Sequence, residues 1–390
     1  MARINIGIVG MGNMGSGHAK MIAQEQSRAH RLAAVCDIDA DKARRLGQQY
    51  AVPSFGHAYD MYDSGLVDVV LIATPHYWHG PLTVRAAGMG LHVLCEKPLA
   101  VSVSDARAMV AQCKKHKVAL GCMFMQRTRY IMKQMKRMIV AGKLGEIFRV
   151  QMVCSNWLRT QEYYRSGAWR GTWDGEGGGV IMNQAPHSLD LFAWLAGGLP
   201  KSVIAQVDTR WHKIEVENTV NAICDFGGGR TGYIYATTAE LPGTEQLIVA
   251  GTKGTLLAEG GRLRFCPLRQ ELRKFLMTAE AWPTVETSWH DVELETGDRD
   301  GAHINITNAF VDHILKGRKM VCSGEEALSE LELSNAIYLS GFGGGKRVSL
   351  PVDARKVDAL IARLERERSS GKGGYLRAAA GREMKRLLKK

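Results

Sequence analysis

The 390-residue sequence has no stretch approaching the roughly 18 consecutive apolar residues that a membrane-spanning helix requires. Its eight cysteines (Cys36, Cys95, Cys113, Cys122, Cys154, Cys224, Cys266 and Cys322) are scattered. No two stand three apart, so the paired spacing of a zinc site or a dithiol redox centre is missing. They read as small buried hydrophobes in a reducing compartment. No internal repeat or long low-complexity tract occurs, and collagen, disulfide knots and coiled coils are excluded. The opening residues lack a charged n-region with a small-residue cleavage site, and a cytoplasmic location is expected. At 45% hydrophobic and 23% charged, the chain lies outside the regime of disorder. Its length predicts two or three domains.

What the chain has in excess is positive charge: 51 Lys and Arg against 39 Asp and Glu, a net +12 with pI near 9.3. Nucleic acid, an acidic ligand or a local basic appendage could each account for it. From Arg363 to Lys390 there are ten basic and three acidic residues, so most of the excess is local. Tyr375 is the single aromatic in that stretch. Base stacking therefore has little to work with, and nucleic-acid binding is not expected. A solvated or interface-capping helix is the expected form, after a flexible break over Ser369 to Gly374.

The first 125 residues alternate short apolar runs with amphipathic stretches, the pattern of an α/β fold whose parallel sheet is crossed by helices. Ile4 to Val9, Leu32 to Cys36, Val69 to Ala73, His92 to Cys95 and Val118 to Met123 are the expected strands. Ser104 to Lys117 gathers Met109, Val110 and Cys113 on one face and predicts a helix. From about Arg149 the alternation lengthens. Ser202 to Val207, Val220 to Asp225 and Thr231 to Thr237 predict antiparallel strands, with Gly227-Gly228-Gly229 turning the last hairpin. Ile304 to Leu315, with Ile306, Phe310 and Ile314 as a buried stripe, and Glu325 to Leu339 predict late helices.

Gly10-Met11-Gly12-Asn13-Met14-Gly15 follows the first strand and opens the helical stretch Ser16 to Gln24. In that context the glycines allow a tight turn, close approach of backbone to a pyrophosphate, and close helix-on-strand packing. Free amides at the helix start then face the phosphates. Asp37 ends the next strand where an acid accepts ribose hydroxyls. A carboxylate there repels a 2′-phosphate, which favours NAD over NADP; Arg44 and Arg45 nearby are the opposing feature. The competing reading is a plain tight turn, with Asp37 capping the next helix.

Glu96-Lys97-Pro98 closes a central strand, at the edge where open parallel sheets bind ligands. Beyond Gly177-Gly178-Gly179, the residues Asn183, His187 and Asp190 stand four and three apart and are expected on one helical face. A histidine flanked by polar residues suits acid–base work. Trp157 to Tyr164 and Trp169 to Trp173 offer aromatic faces and hydrogen bonders for a sugar, or else pack the core. His76 and His79 lack further ligands nearby, so no metal is expected.

Taken in order, the glycine fingerprint, Ala73-Thr74-Pro75 with His79, Glu96-Lys97-Pro98, and the glycine run leading to His187 and Asp190 resemble the glucose–fructose oxidoreductase, inositol dehydrogenase and rhizopine catabolism (Gfo/Idh/MocA) family. The likeness runs from residue 3 to about residue 360. It implies an N-terminal Rossmann domain over 1–125 and a C-terminal α/β domain with an open, mainly antiparallel sheet over 126–362, assembling as a homodimer or homotetramer. The basic tail is then 363–390. It implies an NAD-dependent oxidoreductase with catalytic Lys97 and His187. Substrate contacts fall on Asn183, Asp190, Arg159, Tyr163, Trp169 and His212. Cofactor contacts fall on Gly10, Met11, Gly12, Asn13, Met14, Gly15, Asp37, Thr74, Pro75, His79, Glu96, Lys97, Gln126, Trp169 and Arg170.

The family's usual aspartate falls on Asn183, a departure that bears on the substrate. The Asn-Gln-Ala-Pro-His version, with Trp211 to Glu217 and Glu240 to Thr244, resembles a branch that oxidises carbon 3 of glycosides. An inositol or polyol dehydrogenase and a non-catalytic NAD-binding regulator are the alternatives; the presence of both Lys97 and His187 argues against the regulator. In the expected chemistry His187 is a general base with a pKa near neutrality, Lys97 stabilises the reacting oxygen, Asn183 orients the substrate and Asp190 orients His187.

Overall fold

The computed structural model describes residues 3–25, 27–369 and 376–389. Of the expected flexible break, Ser370 to Gly374 lies outside those residues, as does Tyr375.

The N-terminal half runs β1 (Ile4–Val9), α1 (Asn13–Gln24), β2 (His30–Cys36), α2 (Ala40–Tyr50), β3 (Ser54–Phe55), α3 (Ala58–Asp63), β4 (Val69–Ile72), α4 (His79–Gly88), β5 (His92–Cys95), α5 (Val103–Lys115) and β6 (Leu120–Cys122). Its six strands pair in parallel in the order β3-β2-β1-β4-β5-β6. Central strands of such a sheet are covered on both faces, and all four residues of β4 are buried. The helices start where the sequence offers a cap. Ser102 accepts the Asp105 amide ahead of α5, which then buries Val103, Ala106, Met109 and Cys113. The strand order reverses between β1 and β4, opening a crevice at the carboxyl ends of the strands.

The second half contains α6 (Tyr130–Val140), β7 (Ile147–Cys154), α7 (Gln161–Arg165), α8 (Pro186–Ala196), β8 (Ser202–Asp208), β9 (Thr219–Gly227), β10 (Arg230–Thr237), β11 (Glu245–Gly251), β12 (Gly254–Glu259), β13 (Arg262–Pro267), α9 (Leu272–Thr278), β14 (His290–Asp291), α10 (His303–Lys316), α11 (Gly324–Gly341), β15 (Val348–Ser349), α12 (Ala354–Arg368) and α13 (Leu376–Leu388). The nine strands lie in the order β14-β13-β12-β11-β7-β10-β9-β8-β15. Every neighbouring pair is antiparallel except β7 with β10. Along β9, Val220, Ala222 and Cys224 are buried while Ile223 between them is 60% exposed. One face is therefore covered, by α8 and α11, and the other is open.

Helix α10 returns to the first sheet, where Ile304, Ile306, Phe310 and Val311 join a cluster with Ile6, Ile8 and Leu94. Ile314, expected in that stripe, is only partly buried. All eight cysteines are buried free thiols. No helix among the described residues is long and apolar enough to cross a membrane.

The basic C-terminus is not a solvated extension. Helix α12 carries past residue 363 to Arg368, and α13 packs on α4 and on the short turn His76–Trp78. Ala380 and Met384 of α13 are buried, and Met384 Cε would lie 3.3 Å from a methyl group added at Gly80. Tyr59 Oη donates to Glu383 Oε1 at 2.6 Å, and the Arg377 amide donates to Asp174 Oδ1 at 3.1 Å.

Candidate active site

The glycine-rich loop is shaped for a dinucleotide. Gly10 holds φ +89°, and a Cβ there would fall 2.7 Å from the Ala73 carbonyl; one at Gly15 would fall 1.8 Å from the Gly10 carbonyl. At Gly12 an added Cβ meets nothing within 4 Å among the described residues. That open floor lies at the N-terminus of α1, whose first amides receive no side-chain cap. Unsatisfied amides facing free space are what a pyrophosphate requires, and Asn13 and Met14 beside them are exposed. Asp37 is 7% exposed. Its Oδ2 accepts the Met11 amide at 2.7 Å and its Oδ1 the Asp39 amide at 2.9 Å. Lys42 Nζ stands 2.9 Å from Oδ2, so the acid at this position carries a neutralising partner. Arg44 pairs instead with Asp41.

At the end of β5, Glu96 turns back into the protein. His18 Nε2 of α1 donates to its Oε1 at 2.7 Å, and the Lys97 amide donates to its Oε2 at 3.1 Å. Burial opposes ionisation, but the His18 hydrogen bond and the charges of His18 and Lys97 hold Glu96 down to about 2. Glu96 thus anchors the glycine helix to β5. The Lys97–Pro98 bond is cis, and Lys97 Nζ reaches across to donate to the Asn183 carbonyl at 2.7 Å. Burial lowers the pKa of Lys97.

His187 opens α8 after Pro186 and packs edge-to-face on Phe124 at 5.7 Å between centroids. Its Nδ1 is buried and has no hydrogen-bond partner among the described residues. Burial, and next the charge of Lys97, hold its pKa down to about 3. The imidazole is therefore a neutral acceptor, not the near-neutral base expected from the residue type. Asn183 lies one turn ahead of α8, closed by its amide on the Gly179 carbonyl at 3.0 Å.

Asp190 corrects the expectation that it orients His187. It is 2% exposed and gives both oxygens to Arg127, at 2.7 and 2.8 Å. Arg127 also holds Glu326 at 2.7 Å. Asp190 neither orients His187 nor faces open space.

Tyr163 is the centre of the aromatic wall. The guanidinium carbons of Arg159 and Arg170 each lie 4.6 Å from its ring centroid, and Trp169 lies 4.4 Å from Arg170. Its Oη accepts from Arg170 at 2.7 Å, Gln184 at 3.2 Å and Asn183 Nδ2 at 3.3 Å. Trp169 also meets His76 edge-on. A cleft of about 540 Å³ opens beside Arg170, lined among others by Tyr164, Lys213, Glu215 and Arg368.

Three other expected contacts are engaged elsewhere. His212 donates through Nε2 to the Arg159 carbonyl and accepts at Nδ1 from Asn218, at 2.9 and 2.7 Å, so neither nitrogen is left for a substrate. Gln126 accepts from Arg129 at 3.2 Å. His79 is fully buried with its nitrogens against the Pro98 and Thr74 carbonyls, at 2.9 and 3.0 Å. It ties the Thr74-Pro75 turn to the Lys97-Pro98 turn. The residue the sequence did not flag is Glu176, which is 1% exposed beside Asn183. An acid just ahead of a triple glycine was the available signal.

Residues 4–124 match the model of an oxidoreductase family with an NAD-binding Rossmann fold, and residues 132–257 match the GFO/IDH/MocA C-terminal domain. The rhizopine catabolism protein MocA of Rhizobium meliloti is 31% identical over 238 residues, 60% of this chain and 71% of that protein. A myo-inositol 2-dehydrogenase of Thermotoga maritima is 24% identical over 66% of this chain and 76% of its own length. The WlbA dehydrogenase from Bordetella pertussis, solved with NADH and UDP-GlcNAcA, superposes with a TM-score of 0.76 at 29% identity, covering 90% of this chain and 100% of that one.

Proposed function

The chain belongs to the Gfo/Idh/MocA family of NAD-binding oxidoreductases, which act on the CH–OH groups of sugars and polyols, and from that premise we propose that it oxidises a secondary alcohol of a glycoside, at carbon 3. The observation that carries this reading is the pairing of a fixed ammonium with a neutral imidazole: Lys97 Nζ is held on the Asn183 carbonyl, and burial, then the Lys97 charge, depress the pKa of His187.

The open floor at Gly12, the free amides of α1 and the Asp37 carboxylate would hold NAD, with Thr74, Pro75, Trp169 and Arg170 along the crevice. Bound there, NAD supplies the hydride acceptor. Lys97 donates to the reacting oxygen and stabilises its developing negative charge. His187 accepts the hydroxyl proton, for which its neutral state is the required one. The Asn183 amide and Tyr163 orient neighbouring hydroxyls. Arg159 and Arg170, stacked on Tyr163, present cations to the substituent that the adjoining cleft accommodates. The complex of the Bordetella neighbour with NADH and UDP-GlcNAcA supports a substituted sugar. Eight free thiols support a cytoplasmic setting, and the open sheet face supports a homodimer or homotetramer.

The second reading, an inositol dehydrogenase, is favoured by the Thermotoga relative. A panel of pyranosides, free sugars and inositols, assayed for reduced cofactor with NAD and with NADP, separates the two. Turnover of pyranosides to 3-keto products with NAD is expected. Turnover of inositols without pyranosides selects the second reading, and a preference for NADP removes the role given to Asp37.

A further inference from the structure

Glu176 divides its carboxylate between two donors. One oxygen accepts the Gly171 amide at 2.7 Å, and the other a short bond from Asn183 Nδ2. The same Nδ2 reaches Tyr163 Oη at 3.3 Å. No hydrogen bond among the described residues engages Asn183 Oδ1. An amide anchored by its NH2 group presents its oxygen on the opposite side, as an acceptor.

We propose that Glu176 is a positioning residue of the substrate site: by holding Asn183 Nδ2 it fixes the amide with Oδ1 toward a substrate hydroxyl, and it makes asparagine the residue required at position 183. The proposal rests on the reading that a sugar or polyol binds beside Lys97 and His187. The reason is electrostatic. An aspartate at 183 would set a second carboxylate at hydrogen-bond distance from Glu176 in a buried site, and one of the two would have to carry a proton. The family's usual acid has thus been exchanged for an amide whose partner, seven residues earlier, is the acid.

The groups facing Glu176 are Lys97 at the end of β5, Tyr163 and Tyr164 of α7, Arg170 of the following loop, Tyr338 of α11, and His76, whose Nδ1 donates to the Glu176 carbonyl. Burial carries the carboxyl up to about 7, against the Gly171 and Asn183 hydrogen bonds and the charges of Arg170 and Lys97. Protonation turns one acceptor into a donor and releases either Gly171 or the Asn183 amide. Sugar oxidation then loses rate as pH falls through neutrality.

Steady-state kinetics of the full chain with NAD and the sugar it turns over best, from about pH 5.5 to 9, test this in Glu176→Gln, Asn183→Asp and the double variant. Each single substitution is expected to lower kcat/KM for the sugar at least ~10-fold, with NAD affinity held within ~2-fold. In Glu176→Gln the introduced NH2 group must face either the Gly171 N–H or the Asn183 Nδ2. In the double variant it meets the introduced aspartate while its oxygen accepts from Gly171. The double variant is therefore expected to recover to within ~3-fold of wild type and to lose the acid limb near neutrality. Because both substitutions are hydrogen-bonded there, its recovery decides the matter even where a single variant fails to fold. Losses that multiply in the double variant overturn the proposal, as does an unchanged acid limb in Glu176→Gln. A wild-type chain that oxidises no sugar or polyol overturns the functional reading beneath it.

Discussion

Lys97 Nζ donates to the main-chain carbonyl of Asn183 at 2.7 Å, bridging the end of a Rossmann strand and the turn that leads into the histidine helix. The ammonium is held by backbone before any substrate arrives, so little reorganisation is left for the reaction itself. Burial keeps His187 unprotonated, and the same charge adds to it. One lysine thereby prepares both the electrophilic and the basic side of the site.

Replacing Lys97 by alanine removes the donor and leaves the glycine loop untouched. Turnover is expected to fall by ~10²–10³, while NAD binding, read by fluorescence titration, stays within ~3-fold of wild type. Wild-type kcat in this variant would contradict the role of Lys97.

Gly12 and Gly15 predict opposite failures. Gly12 has φ −70° and space around its missing Cβ, so Gly12→Ala should melt like wild type yet bind NAD at least ~10-fold more weakly, because the methyl group occupies the pyrophosphate floor. A methyl group at Gly15 runs into the Gly10 carbonyl, and Gly15→Ala should lose stability first. Thermal melts alongside NAD titrations read the two effects separately.

Asp190→Ala leaves the buried Arg127 guanidinium with only Glu326 and the Val321 carbonyl as hydrogen-bond partners among the described residues. Breaking such a pair costs about 3–5 kcal/mol, and the urea midpoint should move accordingly. The kcat of the protein that remains folded should stay within ~3-fold of wild type. A large kcat loss at unchanged stability would return Asp190 to the active site.

Stability should fall as pH rises from about 7 to about 8. Burial carries Glu176 and Glu217 up to about 7 and Glu330 to about 8. Each keeps its proton in the folded chain where the unfolded chain has lost it, so its contribution is complete below the ordinary carboxyl value and is lost as pH climbs through the raised one. His76 and His187, both held to about 3 by burial, act with the opposite sign. They do so below and just above the ordinary imidazole value, where the unfolded chain takes up protons, and their opposing effect fades as pH rises beyond about 7. The slope is up to ~1.4 kcal/mol per group per pH unit. Urea midpoints across the window measure it, and Glu330→Gln should flatten the curve; a rising midpoint would refute the assignment.

What the sequence made legible was local. Strand β4 is an unbroken apolar run, β1 and β5 are largely apolar, and Gly10, Gly12 and Gly15 have their meaning fixed by the strand before and the helix after. Lys97 and His187 stand within motifs. What failed depended on partners far along the chain. Helical spacing put Asp190 beside His187, but Arg127, 63 residues earlier, claims it. His212 is likewise spoken for by Asn218 and the Arg159 carbonyl. Glu176 was hidden because glycines around an acid suggest a loose loop, whereas here they pack closely against Val101, Tyr338 and the Glu217 carbonyl. Counting charge over the last residues averaged away the apolar positions Ala380 and Met384, which mark one side of α13 as buried.

That last helix has a mechanical consequence. Glu383 fastens it to Tyr59 in the dinucleotide half, and Arg377 fastens it to Asp174 in the segment just ahead of Glu176 and Asn183. It is a splint laid across the joint. A displacement of one half against the other would have to break those attachments, so this helix resists it.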